Sequence, residues 1–443
     1  MNRDGGDSPQ GKQRLVYPKR QKNKIYGIRL VQKTNLRYCG VGVVGMILKR
    51  EKYMKEIRSV LGKQVIKVLL GMRRVGKSTL LLQIQEELIS EGIMPDQMIS
   101  VNFEWMEFEA LKDYKALNKY IEDKMTDGKK YYVFLDEVQE VDGFEKVVNS
   151  LNAKGQAEIF ITGSNSKLLS GELATYLTGR FYTIEVYPFS FGELYHQRES
   201  LDEGFLEYIT MGGLPGIFQF DSQRTAKNYL LDMYQSILFR DIVERNRIRD
   251  VNLFKQFMLY LMNNVSQIFS AGTITRYLKN EGRKLSRETI YQYIEAAKNA
   301  YLIYGVPRYN IRGKELMKTN EKYFINDVGI RNLFFDNEKD IGQVLENIVY
   351  LELRRRGYEI YIGKLDDREV DFIVIDGESK TYIQVTYLLA EETTIEREFS
   401  VLEAIDDNYP KMVISMDRVN RSRNGIIHKN IVDFLLEDGV RLE

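Results

Sequence analysis

Between residues 64 and 187, short and nearly continuous apolar runs alternate with longer amphipathic stretches. The runs are "VIKVLLG" (65–71), "MISVNFE" (98–104), "YYVFLDE" (131–137), "AEIFITGS" (157–164) and "FYTIEVY" (181–187). Runs this short, with few polar alternates, suit strands covered on both faces, and their alternation with helical stretches is the pattern of a parallel sheet. This segment predicts an α/β sandwich. Just before it, "MILKREKYMKEIRSVLG" reads as an amphipathic helix with Ile47, Leu48, Met54, Ile57 and Leu61 on one face.

From 189 to 250 the pattern turns helical, broken by Gly-Gly-x-Pro-Gly at 212–216. Residues 251–318 predict a compact module of three helices, "NLFKQFMLYLMNNV", "SAGTITRYLKNEG" and "SRETIYQYIEAAKNAYL". Ser286 caps the third helix toward Thr289, with Glu288 in its first turn. The strand "LIYGVPRYN" then completes a helix-turn-helix with a wing. From 319 to 443 a separate α/β domain is expected, with the helix "GQVLENIVYLELRRRG" and the strands "EIYIG", "EVDFIVI" and "KTYIQVTYL". Residues 1–45 are basic, glycine-rich and without period, and read as a disordered arm, unless Met46 is the biological start.

Composition narrows the function classes. With 64 Lys and Arg against 63 Asp and Glu, the net charge of +1 supplies no overall field for nucleic acid or membrane, so any basic surface is local. The single cysteine, Cys39, excludes a disulfide framework and fits a cytoplasmic setting. With only two histidines beside it, a His/Cys zinc site is not expected. The apolar stretch 38–48 is shorter than the roughly 20 residues a membrane span needs, and no membrane association is expected.

The sharpest chemical signal is "GMRRVGKST", in which Gly71, Gly76, Lys77 and Ser78 fit the G-x-x-x-x-G-K-[ST] phosphate-binding loop between a strand and a helix. The glycines turn backbone N–H groups toward phosphate, Lys77 reaches the β- and γ-phosphates, and Ser78 ligates Mg²⁺. Further along, "YYVFLDE" (131–137) ends in Asp136 and Glu137. An aspartate at that strand tip holds Mg²⁺, and the glutamate beside it activates the attacking water. Both signals in order predict that ATP and Mg²⁺ are bound. Ser164 or Asn165, after the next strand, would position water, or simply make a turn. Arg180 either stabilises transition-state charge, in the same chain or across a subunit boundary, or forms a surface ion pair. Arg73 and Arg74 either add to phosphate or partner binding or face solvent.

These motifs, together with "ITGSNSKLLSGELATYLTGR", "YPFSFGEL", "GGLPG" and "LFRDIVER", resemble the bacterial and archaeal AAA-type ATPases with a C-terminal domain of unknown function. The likeness spans residues 46 to about 415. It implies a P-loop ATPase core over 46–188, a helical lid over 189–250, a winged-helix module over 251–318 and a restriction-endonuclease-like fold over 319–443. It assigns Gly76, Lys77, Ser78 and Thr79 to the nucleotide loop, with Gly71 and Arg74 beside them, and Asn165 and Arg180 to sensor and arginine-finger positions.

In the C-terminal domain, Glu346, Asp371 and Gln384 stand in the order of a PD-(D/E)xK nuclease site. There the last motif reads Gln384-Val385-Thr386, an amide replaces a carboxylate, and the lysine is missing unless Lys364 or Arg368 substitutes. A nuclease-like fold kept for binding is expected rather than cleavage. The expected function is an ATP-hydrolysing switch or remodeller acting on an unknown partner, a protein client or DNA reached through the winged helix and C-terminal domain. The alternative is an ATP-gated DNA-binding protein, for which the third helix offers Arg283, Lys284, Arg287 and Tyr291. A homo-oligomer would suit an arginine acting across subunits. A pure scaffold has no use for a catalytic base such as Glu137.

Overall fold

A computed structural model describes residues 48–437 apart from 126–127, 170–178, 196–198, 281–284 and 337–338. The arm 1–45, the start at Met46, and Arg283 and Lys284 lie outside the described residues. The five apolar runs form β1 (Ile66–Leu70), β2 (Met98–Asn102), β3 (Tyr131–Asp136), β4 (Ala157–Gly163) and β5 (Phe181–Glu185). They make one five-stranded sheet in the order β2-β3-β4-β1-β5, parallel throughout. Every residue of β1 and β3 is buried, which is why these strands read as nearly continuous apolar runs; the one charge inside β1, Lys67, is paired with Glu158 at 2.6 Å. Phe134 and Phe160 stack 4.9 Å apart between β3 and β4.

The helix Leu201–Met211 ends at Gly212, and the Pro215–Gln219 turn leads into the helix Gln223–Ser236. That helix continues without a break into eight residues of π-helix, Ile237–Glu244. Helices Val251–Asn263, Ala271–Asn280 and Arg287–Asn299 follow, the last capped by the Ser286 hydroxyl, which accepts the Thr289 N–H at 3.1 Å.

The hairpin after these helices corrects the expected division at 318/319. It consists of β6 (Ile303–Asn310) and β7 (Glu315–Ile325), so the proposed boundary cuts a strand. Nor is the C-terminal α/β unit separate. The hairpin forms one end of a seven-stranded mixed sheet with β8 (Glu359–Leu365), β9 (Arg368–Asp376), β10 (Ser379–Val385), β11 (Lys411–Ser415) and β12 (Ile426–Asn430), in the order β12-β11-β10-β9-β8-β6-β7. β6 joins it through parallel pairing of Arg308–Asn310 with Ile362–Lys364. The helix Ile341–Arg355 lies between this sheet and the first, with Arg354 donating to Glu185 of β5 at 2.8 Å.

Candidate nucleotide site

Parallel pairing brings the chemistry-bearing strand ends to one edge of the first sheet. Leu70 is level with Gly163, Leu135 with Ile161, and Asn102 with Asp136. Gly71, Asp136 and Thr162 therefore meet although they lie far apart in sequence. The loop after β1 needs its glycines for space and for backbone angle. A Cβ on Gly71 would stand 2.2 Å from the Val186 carbonyl oxygen, and Gly76 has φ +99° at the start of the helix Lys77–Ser90.

Lys77 is buried and donates to the carbonyls of Gly71 (3.0 Å) and Met72 (3.2 Å), with its ammonium 3.5 Å from Glu137. Ser78 and Thr79 are exposed at the helix start. Asp136 accepts from Asn102 (2.8 Å) and Thr162 (2.5 Å). Burial raises its carboxyl above the usual range, against hydrogen bonds from Thr162 and Ser78. Glu137 next to it behaves oppositely. Burial again pushes its carboxyl upward, but Lys77, Gln139 and Arg73 outweigh it and leave the pKa lowered. Glu137 is thereby held ionised, the form from which a carboxylate can accept a proton. Its left-handed backbone, φ 56°, turns it out of the strand, and its N–H donates to the Thr162 hydroxyl at 2.9 Å. Thr162 thus holds the Asp136 carboxylate and the Glu137 backbone together. Its signal in the sequence was a polar residue ending an apolar strand.

Asn165 lies buried at the tip of β4, on this same edge. Arg180 does not. It precedes Phe181, which is level with Ile66 at the start of β1, and its carbonyl accepts the Ile66 N–H. The length of β1, about 16 Å at a strand's rise, separates it from the phosphate loop. Its guanidinium donates to Asn149 at 2.9 Å. This geometry overturns the reading of Arg180 as a catalytic group in its own chain, because the two sit at opposite edges of the sheet.

The two loop arginines diverge. Arg74 is exposed with φ 68°. Arg73 turns inward and pairs with Asp241 (2.9 Å) and Glu104 (2.6 Å). Asp241 is 1% exposed on the π-helix. Arg245 stands 3.7 Å from the same carboxylate and 3.6 Å from Glu140. A cleft of about 320 Å³ opens here, lined by Arg73, Glu140, Arg240, Glu244 and Arg245. Sequence reasoning missed Asp241, Arg240 and Arg245, whose only trace was the motif "LFRDIVER". A second contact leads from this edge, since Ser166 donates to Asn299 at the end of the helix Arg287–Asn299 at 2.7 Å.

Residues 63–195 match the family described as AAA domain, and residues 202–340 match a domain of unknown function (DUF8612). The second match crosses the hairpin, as the sheet does. An uncharacterized protein of Haemophilus influenzae is 37% identical over 400 residues, covering 88% of this chain and 99% of its own length. An uncharacterized protein of Methanocaldococcus jannaschii is 34% identical over 393 residues, covering 84% of this chain and 85% of its own. Among solved structures, AMPPCP-bound DnaA from Aquifex aeolicus aligns with a TM-score of 0.29 at 15% identity, over 56% of this chain and 86% of that one. No helix among the described residues is long and apolar enough to cross a membrane.

Proposed function

The chain belongs to one family with these Haemophilus influenzae and Methanocaldococcus jannaschii proteins and carries an AAA domain, and from that premise we propose that it hydrolyses ATP as a switch or remodeller. The observation that carries this reading is the Asp136–Glu137 pair, one carboxylate tied to Thr162 and Asn102, the other ionised beside Lys77. Lys77 now rests on the carbonyls of its own loop. Phosphate oxygens would replace those acceptors, with the N–H groups at the helix start beside them. Ser78 and Asp136 fit a Mg²⁺ ion, being adjacent and oxygen-bearing, and the ion would neutralise charge on the phosphates. Glu137 would take the proton of the attacking water, and Asn165 at the neighbouring tip would orient that water. Gly71, Arg74, Gly76 and Thr79 complete the loop's nucleotide contacts in this reading. Arg180, facing away from its own loop, would serve a neighbouring subunit.

The three helices and the β6–β7 hairpin are read as a winged-helix module that engages the partner and runs to Ile325. An ATP-gated DNA contact has one observation in its favour, since Arg287 and Tyr291 are exposed on the third helix. Glu288 and Glu295 are exposed on that helix too. Such a mixed face suits a protein client better than a phosphate backbone.

Two variants test the central reading. Lys77→Ala should abolish ATP affinity in a folded protein. Glu137→Gln should keep affinity while slowing turnover by about 10²–10⁴-fold, because an amide is no base. Nucleotide binding by filter assay and phosphate release measure the two steps separately. Wild-type turnover in Glu137→Gln would move the base elsewhere. Adding duplex or single-stranded DNA to the same assay separates the partners, since faster hydrolysis favours the DNA reading and an unchanged rate the protein client.

A further inference from the structure

The nuclease-like order Glu346, Asp371, Gln384 implies a divalent cation, so the matter turns on which oxygens are free to hold one. The lysine that the motif lacks is present, and it comes from outside the motif. Lys322, on β7, is buried with its ammonium 2.8 Å from Glu346, 2.6 Å from Glu369 and 3.9 Å from Asp371. Glu369 and Asp371 lie two apart on β9 and so share a face, and Glu346 reaches in from the helix Ile341–Arg355.

Neither Lys364 nor Arg368 substitutes for the missing lysine in this way. Lys364 lies on β8 level with Glu369, yet the ion pairs to Glu346, Glu369 and Asp371 all come from Lys322, and Arg368 donates to the Ser400 carbonyl. Part of the remaining oxygen set is also committed. Asp371 accepts the Val385 N–H with its second oxygen at 2.8 Å. The Gln384 carbonyl accepts the Asp371 N–H at 3.0 Å, and its amide donates to Glu398. These residues do not fit a metal as they stand.

We infer that Lys322 is the built-in cation of this site: its ammonium holds the three carboxylates where a nuclease of this kind would hold a metal ion, and the chain binds no divalent cation there. The physical argument is charge balance in a buried place. Three carboxylates close together need a cation, and an ammonium that is already covalently attached has no binding entropy left to lose. A divalent ion would have to expel it and leave a buried lysine without a partner, which is strongly unfavourable. The same contact ties the hairpin to β9 and to the helix Ile341–Arg355, so the site serves as a joint. Without a bound metal there is nothing to activate water or neutralise a scissile phosphate, and cleavage of DNA or RNA is not expected.

The test is Mn²⁺ uptake by the nucleotide-free full chain, followed by titration calorimetry and the Mn²⁺ spin signal. Wild type should show no uptake that Asp371→Asn removes. Lys322→Met keeps the aliphatic stem, removes the charge, and should take up about one Mn²⁺ per chain, lost again when Asp371→Asn is added. Asp371-dependent uptake by wild type, or metal-dependent nicking that Asp371→Asn abolishes, would overturn the inference. So would a folded Lys322→Met chain that takes up no Mn²⁺. If Lys322→Met does not fold, Lys322→Arg decides with wild type: a folded arginine chain without uptake supports the inference, and Asp371-dependent uptake in either chain overturns it.

Discussion

Single side chains in this molecule acquire meaning from the partner that the fold sets against them. Adjacent Arg73 and Arg74 are equivalent in sequence, yet one enters a buried ion-pair network and the other faces solvent. His428 shows the same dependence. Its Nε2 lies 2.8 Å from the Ser415 hydroxyl, which donates to Asp417 at 2.8 Å, and its Nδ1 accepts the Arg421 N–H at 3.1 Å. Because Nδ1 is the acceptor, the proton sits on Nε2, and the histidine cannot serve Ser415 as a base despite the serine–histidine–aspartate composition. Burial lowers its pKa from the ordinary 6.5, with the Asp417 charge opposing. A lowered pKa means that the fold favours neutral imidazole, so this stabilisation is complete above 6.5 and declines as pH falls below it. Denaturation of wild type and His428→Gln across pH 5–8 checks the sign. Wild type should lose stability relative to the variant on the acid side, and a loss on the alkaline side would refute the assignment.

Among the elements, the π-helix Ile237–Glu244 bears most directly on the nucleotide site. Its extra residue per turn buries Ile237, Leu238, Ile242 and Val243 while bringing Asp241 to Arg73 of the phosphate loop. This joins the loop to the helical region that packs on the third helix of the next module. Asp241→Ala should destabilise the chain by about 3 kcal/mol, the scale for a buried ion pair that loses one partner. In a double-mutant cycle with Arg73→Ala, the coupling should exceed about 1 kcal/mol. Additive losses would mean that the two groups act independently. None of this was legible in sequence, because a π-turn and an α-turn carry similar apolar spacing over eight residues. Strand β7 was hidden differently. Its stretch "KTNEK" (318–322) is polar, and the expected boundary at 318/319 runs through it. The lysine that makes it look solvent-exposed is buried, balanced by carboxylates from distant segments.

At the scale of the whole molecule, the two sheets are tied by charged side chains as well as by apolar packing. Arg354 reaches Glu185 across them, and within the first unit Arg50 makes paired 2.8 Å bonds to Glu193 while also donating to the Val75 carbonyl inside the phosphate loop. Arg180 lies at the far edge of the first sheet, so its proposed catalytic part requires a second copy. Mixing Arg180→Ala with Glu137→Gln should then recover part of the lost turnover, because one class of interface carries both intact groups. Absence of recovery, together with a monomer by sedimentation, would leave Arg180 as the Asn149 contact alone. The sequence by itself determined the five strands of the first sheet, the phosphate loop and the Asp136–Glu137 pair. Nearly continuous apolar runs and glycines placed by steric need are local consequences of local chemistry, readable along the chain. Only the tertiary structure decided which edge Arg180 occupies, that the hairpin belongs to the second sheet, and that Lys322 completes a carboxylate cluster begun 24 residues later by Glu346. Those outcomes depend on strand order and on charges meeting across space, and neither leaves a period in the sequence.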